Sequence, residues 1–178
     1  FWCSDGSSGW QFEVLHPANA IALGIDVNRA HTQGRGSYHY HGLPTGLLWD
    51  LTVDAPRQPM TLLGYAADGF PIYGPECPGD PSDLKSKTSR LRSSYRLRSG
   101  KRTDGPKGRF DGMFVEDFEY VPDHGDLDEC NGRTGPTPEF PDGTYYYVVT
   151  DEFPYIPRLW RGTPDVTFKH GPPPGVSP

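Results

Sequence analysis

Asp142-Gly143-Thr144-Tyr145-Tyr146-Tyr147-Val148-Val149-Thr150 is a turn signal followed by seven residues that are all aromatic or β-branched. Such side chains suit the pleated, packed surface of a sheet, and an Asp-Gly pair suits the tight turn before it. The same pairing recurs along the chain. Extended runs are predicted at Ser37 to His41, Leu47 to Val53, Met60 to Tyr65, Tyr95 to Arg98, Phe114 to Tyr120 and Val166 to Lys169. Turn signals stand between them at Asp68-Gly69, Pro78-Gly79, Asp104-Gly105, Asp111-Gly112 and Asp142-Gly143. Helical spacing is scarce, and the one candidate is a short turn from Pro17 to Leu23. No fixed period recurs, which excludes a solenoid or propeller. The expected fold is mainly β: a single compact domain, residues 1–170, of short antiparallel strands with long structured loops and little helix. Residues 171–178, with three consecutive prolines from Pro172 to Pro174, read as a flexible tail.

Gly and Pro fill 42 of the 178 positions, while aromatic residues make up 13%. A turn-rich chain with that many large rings has enough to bury, so disorder is excluded. The formal charge of −6 gives no electrostatic case for nucleic acid. Charge is uneven, however: ten of the seventeen Lys and Arg residues lie between Lys85 and Arg109. Such a run can meet phosphate, a sulfated glycan or another acidic matrix partner. Its alternation of Leu91, Ser93, Tyr95 and Leu97 with Arg90, Arg92, Arg96 and Arg98 also suits a strand with one solvated face. No stretch approaches the roughly 18 apolar residues that a membrane-spanning helix needs. The opening Phe1-Trp2-Cys3, with no methionine or apolar leader, reads as a processed piece. Cys3, Cys77 and Cys130 are too scattered for a zinc cluster, and in an extracellular setting they would form one pair and one remainder. Counting leaves that pair open, although Cys3 and Cys77 both sit in loops that a disulfide would help to hold.

The chemistry concentrates at His31, Gly34, Gly36 and Tyr38-His39-Tyr40-His41, so that half of the six histidines fall within eleven residues. Residues two apart in a strand share a face, so His39 and His41 would present their rings together, with Tyr38 and Tyr40 on the opposite face. The glycine-containing turn lets the chain fold back and bring His31 alongside. Three neutral imidazoles with an open position suit zinc, copper or iron. The bland alternative is a set of hydrogen-bonded strand histidines with no metal. Asp68, in Asp68-Gly69-Phe70-Pro71-Ile72-Tyr73, is either a turn former or a carboxylate that orients an imidazole. Asp126-Leu127-Asp128-Glu129-Cys130-Asn131-Gly132 looks superficially like the start of an epidermal growth factor module, but three cysteines cannot hold that fold. Its oxygen-bearing side chains suggest calcium, or a general base from Glu129, or simply a turn shaped by Asp128 and Asn131. Nucleophilic-serine, phosphate-loop and His-Glu-x-x-His motifs are absent. With Met60 and Met113 alone, copper trafficking is disfavoured.

At these residues the chain resembles the YHYH-domain proteins. The resemblance rests on Asp26-x-Asn28-x-Ala30-His31, Tyr38 to His41 with Gly42-Leu43-Pro44-Thr45-Gly46, and Gly64 to Pro75. It continues through Ser94 to Leu97, Asp111 to Tyr120, Gly125 to Arg133, Tyr145 to Tyr147 and Phe153 to Arg158, spanning about residues 10 to 162. It implies a secreted or cell-surface protein and points to no particular reaction. It also moves Asp68 toward the imidazole-orienting role. In relatives a cysteine often follows Ile-Pro-Arg, where this chain has Leu159. The resemblance therefore implies that Cys130 has lost its usual partner and that Cys3 pairs with Cys77. Two functions follow from these readings. One is a secreted metal site of His31, His39 and His41, supported by Asp68 or Glu129 as catalytic groups, with hydrolytic zinc or redox copper acting on a small molecule. The other is a structural or adhesive extracellular module with calcium-binding acidic loops and no catalysis.

Overall fold

A computed structural model describes residues 9–34, 36–54 and 58–168. Its architecture is mostly strand, in several small sheets, with two short helices. The central sheet has four strands: β3 (Leu62–Tyr65), β4 (Pro71–Tyr73), β9 (Gly132–Gly135) and β10 (Thr144–Val148), in the order β3-β4-β10-β9. Pairing is antiparallel except between β4 and β10, which run parallel, the one departure from the antiparallel expectation in this sheet. Three two-stranded ribbons surround it. They pair β1 (Ala30–Thr32) with β2 (Tyr38–Tyr40), β5 (Glu76–Pro78) with β6 (Thr88–Arg90), and β7 (Tyr95–Leu97) with β8 (Phe118–Tyr120).

The run that opened the sequence reading becomes the interior strand β10, and its alternation divides the core. Tyr146 and Val148 pack with Met60, Tyr73, Cys77, Leu91 and Leu127 on one side. Tyr145 and Tyr147 pack with Cys130, Phe70, Ile72 and Ala66 on the other. A strand covered on both faces needs apolar bulk at every position, and Tyr-Tyr-Tyr-Val supplies it. The neighbouring strand must then be thin: a Cβ at Gly132 would collide with the Tyr145 hydroxyl and the Tyr146 carbonyl.

The helix expected at Pro17 to Leu23 is present as α1 (Pro17–Leu23), with Pro17 at its start and left-handed Gly24 at its end. The Leu47 to Val53 run, expected as a strand, is instead helix α2 (Thr45–Thr52). A short apolar run does not choose between strand and helix by itself. Here Asn28 decides, because its Oδ1 accepts the Gly46 N–H at 2.8 Å and the Thr45 hydroxyl at 3.1 Å, satisfying donors of the first turn. The Phe114 to Tyr120 run is broken by a 3-10 turn at Val115–Asp117 before β8. Val166–Phe168 is likewise a 3-10 turn, organised by Asp165, while Lys169 lies outside the described residues. The basic segment keeps Leu91 and Ser93 buried and Arg90, Arg92, Arg96 and Arg98 exposed, as the solvated-face reading expects, although Leu97 is exposed too.

Cys77 and Cys130 are buried free thiols. Cys3 and the tail 171–178 lie outside the described residues, and Cys77, expected to pair with Cys3, is a free thiol instead. No helix among the described residues is long and apolar enough to cross a membrane.

Asp117, fully buried, explains the broken strand. Its Oδ2 accepts the N–H groups of Gly112 at 3.0 Å and Phe114 at 3.3 Å, and Arg102 grips both oxygens at 2.7 and 2.6 Å. Removing one partner of a buried pair strands the other charge. Asp117→Ala is therefore expected to lower unfolding stability by about 3–5 kcal/mol in urea denaturation. Arg96→Ala, which removes the exposed pair with Glu119, should cost less than about 1 kcal/mol.

Candidate metal centre

The site is assembled by a hairpin. Asp26 starts it: Oδ1 accepts the N–H groups of Asn28 at 2.8 Å and Ala30 at 3.1 Å, and Oδ2 accepts the Tyr38 hydroxyl at 2.7 Å. This Asx-type turn sets the chain into β1, and left-handed Gly36 helps return it as β2. The register places His31 directly opposite His39, with Ala30 opposite Tyr40 and Thr32 opposite Tyr38. Opposite residues of an antiparallel pair share a face, and so do residues two apart. His31, His39 and His41 therefore converge, as the sequence spacing predicts for His39 and His41 and the turn predicts for His31. Tyr38 and Tyr40 occupy the other face, ring against ring at 5.6 Å.

The three imidazole centroids lie 4.7 Å (His31 to His39), 5.1 Å (His31 to His41) and 4.6 Å (His39 to His41) apart. One nitrogen from each ring falls within 4.8 Å of those from the other two. A tetrahedral zinc with bonds of 2.0–2.1 Å would need these nitrogens about 3.3 Å apart. All three side chains are half-buried.

The proton on His31 is located by its partner. Nδ1 lies 2.9 Å from the Leu23 carbonyl oxygen at the end of α1, and an acceptor there requires Nδ1–H. That leaves the Nε2 lone pair of neutral His31 free, the arrangement that holds a ligating imidazole in position. His39 Nδ1 is 3.4 Å from the Ser37 carbonyl, a weaker version of the same contact. His41 differs: its Nε2 is buried and has no hydrogen-bond partner. Burial first, then the neighbouring His39 and His31, push its pKa down to about 4, so the ring is neutral at physiological pH. A buried, partnerless nitrogen normally carries a cost that a partner would remove.

The carboxylates expected to support the histidines do not join their cluster. Asp68 Oδ2 accepts the Tyr147 hydroxyl at 2.5 Å and the Gly162 N–H at 2.9 Å. The Glu129 side chain is exposed, and its backbone carbonyl accepts the Tyr95 hydroxyl at 2.9 Å. Neither enters the ligand group, which among the described residues consists of the three histidines. The acidic loop follows the turn reading. Asp128 Oδ1 accepts the N–H groups of Cys130 and Gly132, each at 3.0 Å, and the Tyr145 hydroxyl at 2.9 Å. Asn131 is left-handed, with φ 58°, and its Nδ2 donates to the Val148 carbonyl. Among the described residues no group of three carboxylates converges there. The Leu23 carbonyl is the contributor that sequence reading misses, since no side-chain letter marks a backbone acceptor.

The model of the family described as YHYH protein matches residues 1–162. The chain belongs to the YHYH protein family. The tetrapeptide Tyr38 to His41 that gives this family its name here forms β2 and the start of the loop beyond it, with its histidines in the cluster and its tyrosines on the opposite face. No curated protein and no solved structure matches the chain.

In metal-free protein at neutral pH, long-range 1H–15N spectra should show His31 protonated at Nδ1. A His31 ring protonated at Nε2 alone, with Nδ1 bare, would contradict the assigned contact with Leu23.

Proposed function

We propose that this YHYH protein is a metal-binding domain in which His31, His39 and His41 hold one transition-metal ion through their Nε2 atoms. The observation that carries this reading is the convergence of three imidazoles, one nitrogen from each within 4.8 Å of the others; the buried Nε2 of His41, which has no hydrogen-bond partner, adds to it. The donor set selects the metal class. Neutral imidazoles suit zinc or copper, whereas calcium and magnesium need oxygen ligands. Three protein ligands leave a position for water or a small ligand, the pattern of reactive rather than purely structural sites. Zinc there would supply an activated water for hydrolysis, and copper would supply one-electron chemistry. The reading places the domain outside the cell, in keeping with the family resemblance.

Elemental analysis of protein purified without an affinity tag should find close to one zinc or copper per chain. His31→Ala, His39→Ala and His41→Ala should each cut that content at least about tenfold, in line with the loss of one of three ligands. Added metal at a hundredfold excess over its dissociation constant should raise stability by about 2.7 kcal/mol in the wild type and not in the variants. A folded, metal-free protein whose affinity for zinc and copper equals that of the triple variant would leave the hairpin a structural element.

A further inference from the structure

A second cluster of chemistry-bearing side chains lies in the basic segment, away from the histidine hairpin in sequence and built from different residues. Lys101 and Arg109 face each other across an isolated antiparallel bridge. The flanking bonds run from Phe110 N–H to the Gly100 carbonyl at 3.3 Å and from Arg102 N–H to the Gly108 carbonyl at 3.0 Å. That pattern makes Lys101 and Arg109 the non-hydrogen-bonded kind of pair, in which backbones and side chains come closest. Like charges placed directly opposite in this way repel. No carboxylate comes within 4.0 Å of either one among the described residues, whereas Arg90, Arg96, Arg98 and Arg102 all have acidic partners.

These two side chains line a cavity of about 420 Å³ together with Arg98, Ser99, Gly100 and the half-buried Phe110. Arg98 has one acidic neighbour, Glu119, at 3.8 Å, and Nε donates to the Phe118 carbonyl. Three cations around one opening, two of them unmatched, make a concentrated positive field. Guanidinium and ammonium groups bind tetrahedral oxyanions through charge-assisted hydrogen bonds. The cavity is far larger than one sulfate and falls in the size range of small-molecule sites. Phe110, half-buried, is the one aromatic residue lining this cavity.

We propose that Arg98, Lys101 and Arg109 form a binding site for an anionic sugar, in which a sulfate or phosphate ester meets the three cations and the sugar ring lies against Phe110. The like-charge bridge is then a feature that the ligand relieves. Its position on an exposed loop lets a sugar ester enter without rearrangement of the core.

Backbone amide shifts of the intact chain, titrated at low salt with glucose 6-sulfate and glucose 6-phosphate, test this directly. Both esters should bind, with shifts concentrated at residues 98–110, and affinity should fall steeply as salt rises. Lys101→Ala and Arg109→Ala should each weaken binding about fivefold, and Phe110→Ala should do so while leaving inorganic sulfate binding unchanged. Lys101→Ala should also melt no lower than the wild type without ligand, because it removes a repulsion. His39→Ala should bind the esters normally, separating this site from the metal reading. Binding of unmodified glucose as tight as the esters, or unchanged affinity in both cation variants, would overturn the proposal. Inorganic sulfate binding as tightly as glucose 6-sulfate would overturn the sugar-ring part of it, and absence of any shift at 98–110 would overturn it entirely.

Discussion

Tyrosine hydroxyls in a dry core must find partners, and that constraint organises this molecule. Tyr145, Tyr146, Tyr147 and Tyr73 are all buried in or against the central sheet. Their hydroxyls go to Asp128, Arg133, Asp68 and Glu139 respectively, with Arg133 donating to Tyr146 and the other three tyrosines donating to carboxylates. Burial and these carboxylates raise the pKa values of Tyr73, Tyr145 and Tyr147, so each remains a protonated donor. The rings supply the apolar area that a turn-rich chain of this size needs, and the network fixes how the loops lie across the sheet. It also assigns Asp68 and Asp128 a structural purpose.

The histidine hairpin stands outside that network and is held by local contacts. Two paired strands of three residues are marginal by themselves. The Asp26 turn, fully buried Ala30 and the bond from Arg29 to the Asp151 carbonyl at 3.3 Å fix the hairpin to the body. Register is the sensitive quantity. A slip of one residue would send His39 to the face now held by Tyr38 and Tyr40 and dissolve the cluster. Tyr38, bonded to Asp26, helps prevent that slip, so the tyrosines of the tetrapeptide support its histidines from the opposite face.

The charged surface divides along similar lines. Arg90 with Asp151, Arg96 with Glu119 and Arg102 with Asp117 are paired, so much of the basic run serves the fold. Lys101 and Arg109 are left facing each other without an acidic partner among the described residues, the pair on which the proposed anion site rests.

The sequence by itself determined the parts governed by short-range rules. Alternation of large side chains marked β2, β7 and β10, the helical spacing from Pro17 to Leu23 marked α1, and the spacing of His39 and His41 placed two rings on one face. His31 was within reach because a short turn leaves few places for the returning strand. Local rules misled where a distant atom cast the deciding vote. Leu47 to Val53 became a helix because Asn28 satisfied its first donors, and Phe114 to Tyr120 broke because buried Asp117 drew backbone N–H groups and Arg102 to itself. The roles of Asp68 and Glu129, the tautomer of His31 and the parallel pairing of β4 with β10 belong wholly to the tertiary structure. Each depends on which groups meet across many residues of chain, and hydrogen-bond satisfaction in a buried environment is a property of that meeting rather than of either residue alone.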